Sequence, residues 1–246
     1  KFSKILKTGR THLQDAVPIM LGQEFGAYAA ALKKDVQTLK SALKKLHEIN
    51  LGGTALGTGI NTHQQYKKII TKILSALTKH KLIPGKNLFE LTSNMNAFLE
   101  ISSAYRLIST TLQKIAEDLK ILGMSNIGEI TLPEVEPGSS IMPGKINPSI
   151  CECIQMIACQ IIGNDATIAL ACQKGQLELN VMTPLILKNI YESTNILTNG
   201  IKMFRELCIE KIQVNKKRCA ELLMESNCVA TALVPEIGYH ETAELV

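Results

Sequence analysis

From Phe98 to Leu122 the apolar residues Phe98, Ile101, Tyr105, Ile108, Leu112, Ile115, Leu119 and Leu122 fall alternately three and four positions apart, with neither Gly nor Pro among them. Residues spaced in this way form one continuous stripe on an α-helix. At the rise of an α-helix the stripe is about 40 Å long. A second series, Phe25, Tyr28, Leu32, Val36, Leu39, Leu43 and Leu46, predicts another long helix, with lysines and Asp35 on its other faces. A third candidate begins after Pro148 and runs through Ile150, Ile154, Ile157 and Ile161 to about Ala171, and a fourth covers Leu185 to about Glu210. Helices with apolar seams of this length need partners. The expected fold class is therefore all-α, a long-helix bundle, and periodicity leaves open whether the seam is closed within one chain or by further copies.

Composition narrows the function classes. At 246 residues and 46% hydrophobic the chain can bury a sizeable core. The net charge of +5 is spread rather than blocked, and aromatic residues make up only 4%, which argues against a nucleic-acid groove. The seven cysteines form no Cys-x-x-Cys pair, so free thiols in a reducing, cytoplasmic setting are expected. No uninterrupted apolar run approaches the roughly 18 residues of a membrane span, and no membrane partner is expected. The chain opens at Lys1 without an initiator Met and stops at Glu244-Leu245-Val246, which reads as a fragment of a longer protein. Beyond about Ile212 shorter helical pieces surround Pro235 and Gly238, so residues 1–211 are expected to form the bundle with its loops and residues 212–246 to begin a small C-terminal domain.

Three segments rich in Gly, Ser, Thr and Pro interrupt the helical pattern: Thr8 to Pro18, Leu51 to Asn61 and Gly128 to Pro148. Loops on a rigid scaffold are where function concentrates. The most informative run is Gly138-Ser139-Ser140-Ile141-Met142-Pro143-Gly144-Lys145-Ile146-Asn147-Pro148. It is not a P-loop, because five residues separate Gly138 from Gly144 and Ile146 stands where a magnesium-binding hydroxyl is needed. What it offers is a glycine-bounded loop with two hydroxyls, a cation and an amide, ending at a proline that can open a helix. Lys145 and Asn147 suit a carboxylate, which leaves a serine free to take a proton. Thr8-Gly9-Arg10-Thr11-His12-Leu13-Gln14-Asp15 adds a cation, hydroxyls and an imidazole in one short stretch. The Gly52 to Asn61 stretch reads first as a packing device. His47, His63, His80 and His240 lie among polar neighbours and are expected to be solvated, and Cys151 and Cys153 point apart at a helix start.

These segments, in this order and with long helices between them, resemble the aspartase/fumarase superfamily of homotetrameric lyases, and the likeness extends over essentially the whole chain. The Gly9 to Ala16 stretch resembles the aspartase and class II fumarase branch more than the argininosuccinate or adenylosuccinate lyases. Leu82 to Leu88 and Gly175 to Met182 look more like aspartases, whereas Asn147 to Glu152, with Cys151 before the Glu, is nearer the fumarase form. The resemblance implies ammonia elimination from L-aspartate to give fumarate, with fumarate hydration or a non-catalytic oligomerisation core as alternatives. It further implies that Ser139 is the catalytic base and that Ser140, Lys145, Asn147 and Thr11 bind substrate carboxylates. His12 would be the active-site histidine and Glu152 the carboxylate that pairs with it. Implied partners are a small dicarboxylate and three further copies of the chain, each site drawing on three subunits, with no cofactor, no metal and no nucleic acid. Segments that help hold the second carboxylate in the family lie before Lys1, so little turnover is expected from this chain alone.

The chemistry explains why such residues recur. Removing a proton beside a carboxylate builds negative charge into that carboxylate, and fixed donors around its oxygens lower the barrier. A serine base needs its alkoxide stabilised by loop N–H groups and nearby positive charge.

Overall fold

The computed structural model describes residues 2–136 and 138–246. In chain order it contains the strands β1 (Leu6–Thr11) and β2 (Gln14–Met20), helix α1 (Leu21–Leu43), the two-residue strand β3 (Glu48–Ile49), α2 (Tyr66–Thr78), β4 (Ile83–Pro84), α3 (Leu88–Ser93), α4 (Asn96–Gly123), β5 (Ile130–Thr131), α5 (Ser149–Cys172), α6 (Thr183–Leu207), β6 (Gln213–Val214), α7 (Lys216–Glu225), α8 (Val234–Ile237) and α9 (Tyr239–Glu244). The four long helices α1, α4, α5 and α6 dominate, and the fold is the expected all-α bundle. The sequence reading does not anticipate the strands, nor does it name α2.

Local chemistry sets the helix ends. α1 starts earlier than its first stripe residue because the Gln23 side chain reaches back to accept from the Met20 N–H at 2.8 Å, one half of a capping box. Asn87 caps α3, its side chain accepting from the N–H groups of Phe89 and Glu90. Asn180 is buried beyond the end of α5 and donates through its amide to the carbonyls of Ala171 and Cys172, at 3.2 and 3.1 Å. These are carbonyls that the end of a helix leaves without partners.

Residue contacts divide the chain into two compact units, with boundaries inside the long helices. One comprises the described residues up to Ala31 together with Gln113–Ile154 and Lys202–Val246; the other comprises Leu32–Leu112 and Gln155–Ile201. The second unit packs Met95, Ile168, Ala171 and Ile186 into a core bordered by Phe98, Leu99, Met182 and Ile190. Polar links run between its helices as well. Ser102 donates to Asp165 at 2.6 Å, and Asn164 donates to Ser193 at 3.1 Å. α5 contains no uninterrupted apolar run of membrane-spanning length, yet it is long and apolar enough in average composition to cross a membrane. Buried Asn164 and Asp165, hydrogen-bonded in its middle, mark it instead as the core helix of a bundle.

In the first unit β1 and β2 form an antiparallel hairpin, in register from Leu6 opposite Met20 to Thr11 opposite Gln14, with an irregularity between Thr8 and Arg10. Gly9 occupies that bulge, where an added Cβ would lie 2.8 Å from the Val17 carbonyl oxygen. α7 packs on β1, and a 3-10 turn at Asn227–Leu233 packs on β2. β5 pairs with β6, Ile130 opposite Val214. Leu21, Ile115, Ala116, Leu119, Ile130, Ile154 and Ile212 are among this unit's buried apolar residues.

Candidate active site

All the candidate catalytic and substrate-binding residues fall in this first unit, on two platforms. The first is the loop from Gly138 to Pro148 and the opening turn of α5 behind it. Gly138 is required by close approach, since a Cβ there would lie 1.4 Å from the Lys145 carbonyl oxygen. The same two ends of the loop are tied by the Asn147 amide, which donates to the Gly138 carbonyl at 2.7 Å. Within that closed loop the Ser139 hydroxyl oxygen accepts from two backbone N–H groups, Ile141 at 3.1 Å and Met142 at 3.0 Å. Ser139 and Asn147 are half-buried, while Ser140 and Lys145 are exposed. Glu136 and Ser149 form a further hydrogen bond across the loop base. Glu152 stands exposed in the first turn of α5.

The second platform is the hairpin. Thr11 ends β1, and His12 and Leu13 make the two-residue turn with φ of +55° and +61°. Left-handed conformation at both positions fits the type I′ turns that join two-residue hairpins, where Asn-Gly is the preferred pair. Here neither residue is Gly, at a cost on the order of 1–2 kcal/mol for each. Thr11 and His12 are solvent-exposed at the tip.

Beneath the tip lies a cluster of charges absent from the sequence reading. Glu129 is fully buried and Lys7 is 1% exposed. The Lys7 Nζ lies 2.9 Å from Glu129 Oε2 and 3.2 Å from Glu24 Oε2 on α1. Arg10 donates to Glu129 Oε1 at 2.9 Å through Nη1 and to Asp15 Oδ1 at 3.1 Å through Nε. Glu129 Oε2 has no aligned hydrogen bond, so its contact with Lys7 is ion pairing by proximity. A carboxylate removed this far from water needs charged partners, and two cations face it here. The signal available in the sequence was slight: one acid in the short run Ile127-Gly128-Glu129-Ile130 and one lysine just ahead of the Thr8 to Pro18 segment.

The hairpin turn and the end of the loop meet at one cavity of about 740 Å³, whose wall includes Leu13, Lys120, Ile121, Met124, Ile146 and Pro148. None of the candidate catalytic or substrate-binding side chains lines it. The structure therefore brings Ser139, Ser140, Lys145 and Asn147 together in one loop and Thr11 with His12 on one turn. Among the described residues no hydrogen bond or ion pair joins His12 to Glu152. Of the other histidines, His63 accepts from the Gln65 N–H at 3.2 Å, His47 is half-buried, and His80 and His240 are exposed. Cys151 is buried against Cys208, their sulfurs 3.9 Å apart, and Cys153 is half-buried. Contact with Cys208, together with burial, pushes the Cys151 thiol up.

A helical scaffold carrying a glycine-bounded serine loop and a histidine-bearing turn has clear counterparts among known proteins. The family model described as "Lyase" matches residues 1–163. Class II fumarate hydratase of Wigglesworthia glossinidia brevipalpis is 44% identical over 247 residues, covering 99% of this chain and 53% of that protein. Aspartate ammonia-lyase of Bacillus subtilis (strain 168) is 42% identical over 248 residues, covering 100% of this chain and 52% of that protein. The crystal structure of class II fumarase from Schistosoma mansoni superimposes with a TM-score of 0.93 at 35% identity, covering 99% of this chain and 55% of the other. The chain belongs to this lyase family, within the aspartase/fumarase superfamily. It spans about half the length of the curated relatives it matches.

Proposed function

We propose that the protein of which this chain is a part eliminates ammonia from L-aspartate to give fumarate. The observation that carries the reading is the Ser139 oxygen, held by two backbone N–H groups inside a closed, glycine-bounded loop. Those donors stabilise a serine oxygen that has lost its proton, which is what a serine base beside a carboxylate requires. Ser139 takes the proton from the carbon next to one substrate carboxylate, and the electron pair spreads into that carboxylate. Ser140 and Lys145 supply a hydroxyl and a cation to its oxygens. Asn147 uses one amide N–H on Gly138 and keeps a second N–H and its carbonyl for substrate. Thr11 contributes a further hydroxyl. His12 meets the amino end of the substrate, its tautomer set by a Glu152 carboxylate.

His12 and Glu152 are both exposed and not joined within one chain, which supports a pairing between copies of a homotetramer whose sites are shared. The carboxylate of the substrate itself accepts the developing charge, so the proton transfer asks for no cofactor. The second reading is fumarate hydratase, favoured by the fumarase-like Cys151-Glu152 pair and by a fumarate hydratase relative at similar identity; there His12 activates water.

The test uses the full-length protein. L-Aspartate and L-malate are supplied in turn, fumarate absorbance is followed, and Ser139→Ala serves as control. Fumarate from aspartate, reduced about 10²–10⁴-fold in kcat by the variant, supports the ammonia-lyase. Fumarate from malate alone makes the enzyme a fumarase. No product from either substrate leaves the chain as an oligomerisation core.

A further inference from the structure

We propose that Glu129 is a positioning residue for the turn that carries Thr11 and His12, and that it acts through Arg10. The inference rests on the reading of that turn as part of a dicarboxylate site. Its starting point is mechanical: two successive non-glycine residues in left-handed conformation do not hold a hairpin tip by their own preference, so the tip must be fixed from below.

Arg10 does the fixing. It is the residue next to Thr11, and its guanidinium spans the hairpin, donating to Asp15 on β2 and to Glu129 beneath. A planar fork with two separate acceptors sets orientation as well as distance. Glu129 is in turn anchored through its own backbone: its N–H donates to the Leu122 carbonyl at 3.0 Å, and its carbonyl accepts from the Asn215 N–H at 3.0 Å. The acid thus ties the tip of the hairpin to the end of α4 and to the cap of α7. Lys7, wedged between Glu129 and Glu24, locks the base of the same strand to α1.

A buried ion pair is weak evidence for stability, because apolar groups of the same volume often serve that purpose as well or better. What apolar groups cannot supply is the direction of two charge-assisted hydrogen bonds one residue away from a substrate-binding threonine. Loss of Glu129 would let Thr11 and His12 wander by fractions of an ångström to an ångström, enough to degrade a site assembled from several chains.

The test compares full-length wild type with Glu129→Gln and Arg10→Gln in steady-state kinetics on L-aspartate and L-malate, in thermal denaturation, and in amide hydrogen exchange of Leu6–Met20. Both variants are expected to raise KM and lower kcat/KM by about 10–100-fold, with faster exchange in the hairpin and unchanged exchange in α4, α5 and α6. Arg10→Gln leaves the buried Lys7 and Glu129 paired, so it decides the question if Glu129→Gln does not fold. Unchanged hairpin exchange overturns the proposal. So does faster exchange with wild-type KM, since Glu129 would then be a structural ion pair only. If the wild type converts neither substrate, the dicarboxylate reading fails by itself, and hairpin exchange alone decides whether Glu129 holds the turn.

Discussion

Two single residues carry unusual backbone demands, and each makes a separate prediction. Gly138 admits no side chain, because its Cβ would collide with the Lys145 carbonyl. Gly138→Ala is expected to leave the helical content unchanged in far-UV circular dichroism while pulling Ser139 away from its two N–H donors. Activity of the full-length enzyme should fall about as far as in Ser139→Ala, 10²-fold or more, and retention of near-wild-type kcat would contradict this account of the loop. At the hairpin tip the effect runs the other way. Leu13→Gly relieves a left-handed leucine and should raise stability by about 1 kcal/mol, read as an increase in Tm. The Leu13 side chain lines the cavity between turn and loop, however, so the same variant tests whether that wall contributes to activity.

At the scale of elements, the junction of α1 and α4 gives a pH prediction. The Tyr28 hydroxyl donates to Asp118 at 2.7 Å, and Lys114 lies over the Tyr28 ring while also pairing with Asp118. Burial first, then the hydrogen bond to Asp118 and the nearby Glu24, push the Tyr28 hydroxyl well above its ordinary value near 10. Below about pH 10 both folded and unfolded chains keep that proton and its contribution to stability is complete. Above it only the unfolded chain gives the proton up, so stability falls as pH rises. Tyr28→Phe should flatten the alkaline loss by about 1 kcal/mol over the unit between about pH 10 and 11, measured by denaturant titration. An identical alkaline slope in the variant would place the titrating group elsewhere.

The same elements show what was legible. The stripes from Phe25 and Phe98 and the apolar runs after Pro148 and from Leu185 mark α1, α4, α5 and α6 within a few residues, because spacings of three and four admit no other regular structure. The hairpin escaped for three local reasons. Its turn is His-Leu rather than Asn-Gly, β2 contains Pro18, and Gly9 breaks the alternation on β1. β3, β4, β5 and β6 are two-residue pairings fixed by tertiary contact, with no period to detect. The glycine-bounded polar loop around Ser139 was legible from residue types. The buried Lys7–Glu129–Arg10 cluster was not, because burial of a charge is a property of the fold around it.

For the whole molecule the decisive fact is how much apolar and functional surface one chain leaves open. In the second unit Leu107, Met156, Leu170, Leu187 and Tyr191 are all more than 40% exposed on α4, α5 and α6. In the first, Ile141 and Leu13 are exposed beside the candidate catalytic residues. Burial of such surface by further copies is the arrangement expected of an oligomer. This chain alone should therefore give little or no fumarate from aspartate, and robust turnover would overturn the shared-site reading. The placement of Ser139 and His12 on different platforms also has a genetic consequence. On the shared-site reading, defects on opposite platforms are complementary: when full-length Ser139→Ala and His12→Asn chains are mixed, some sites take an intact Ser139 from one kind of subunit and an intact His12 from the other, while other sites take both damaged residues. Unfolding and refolding two dead proteins together should then yield a living one, and an organism carrying both alleles would be healthier than one carrying either alone.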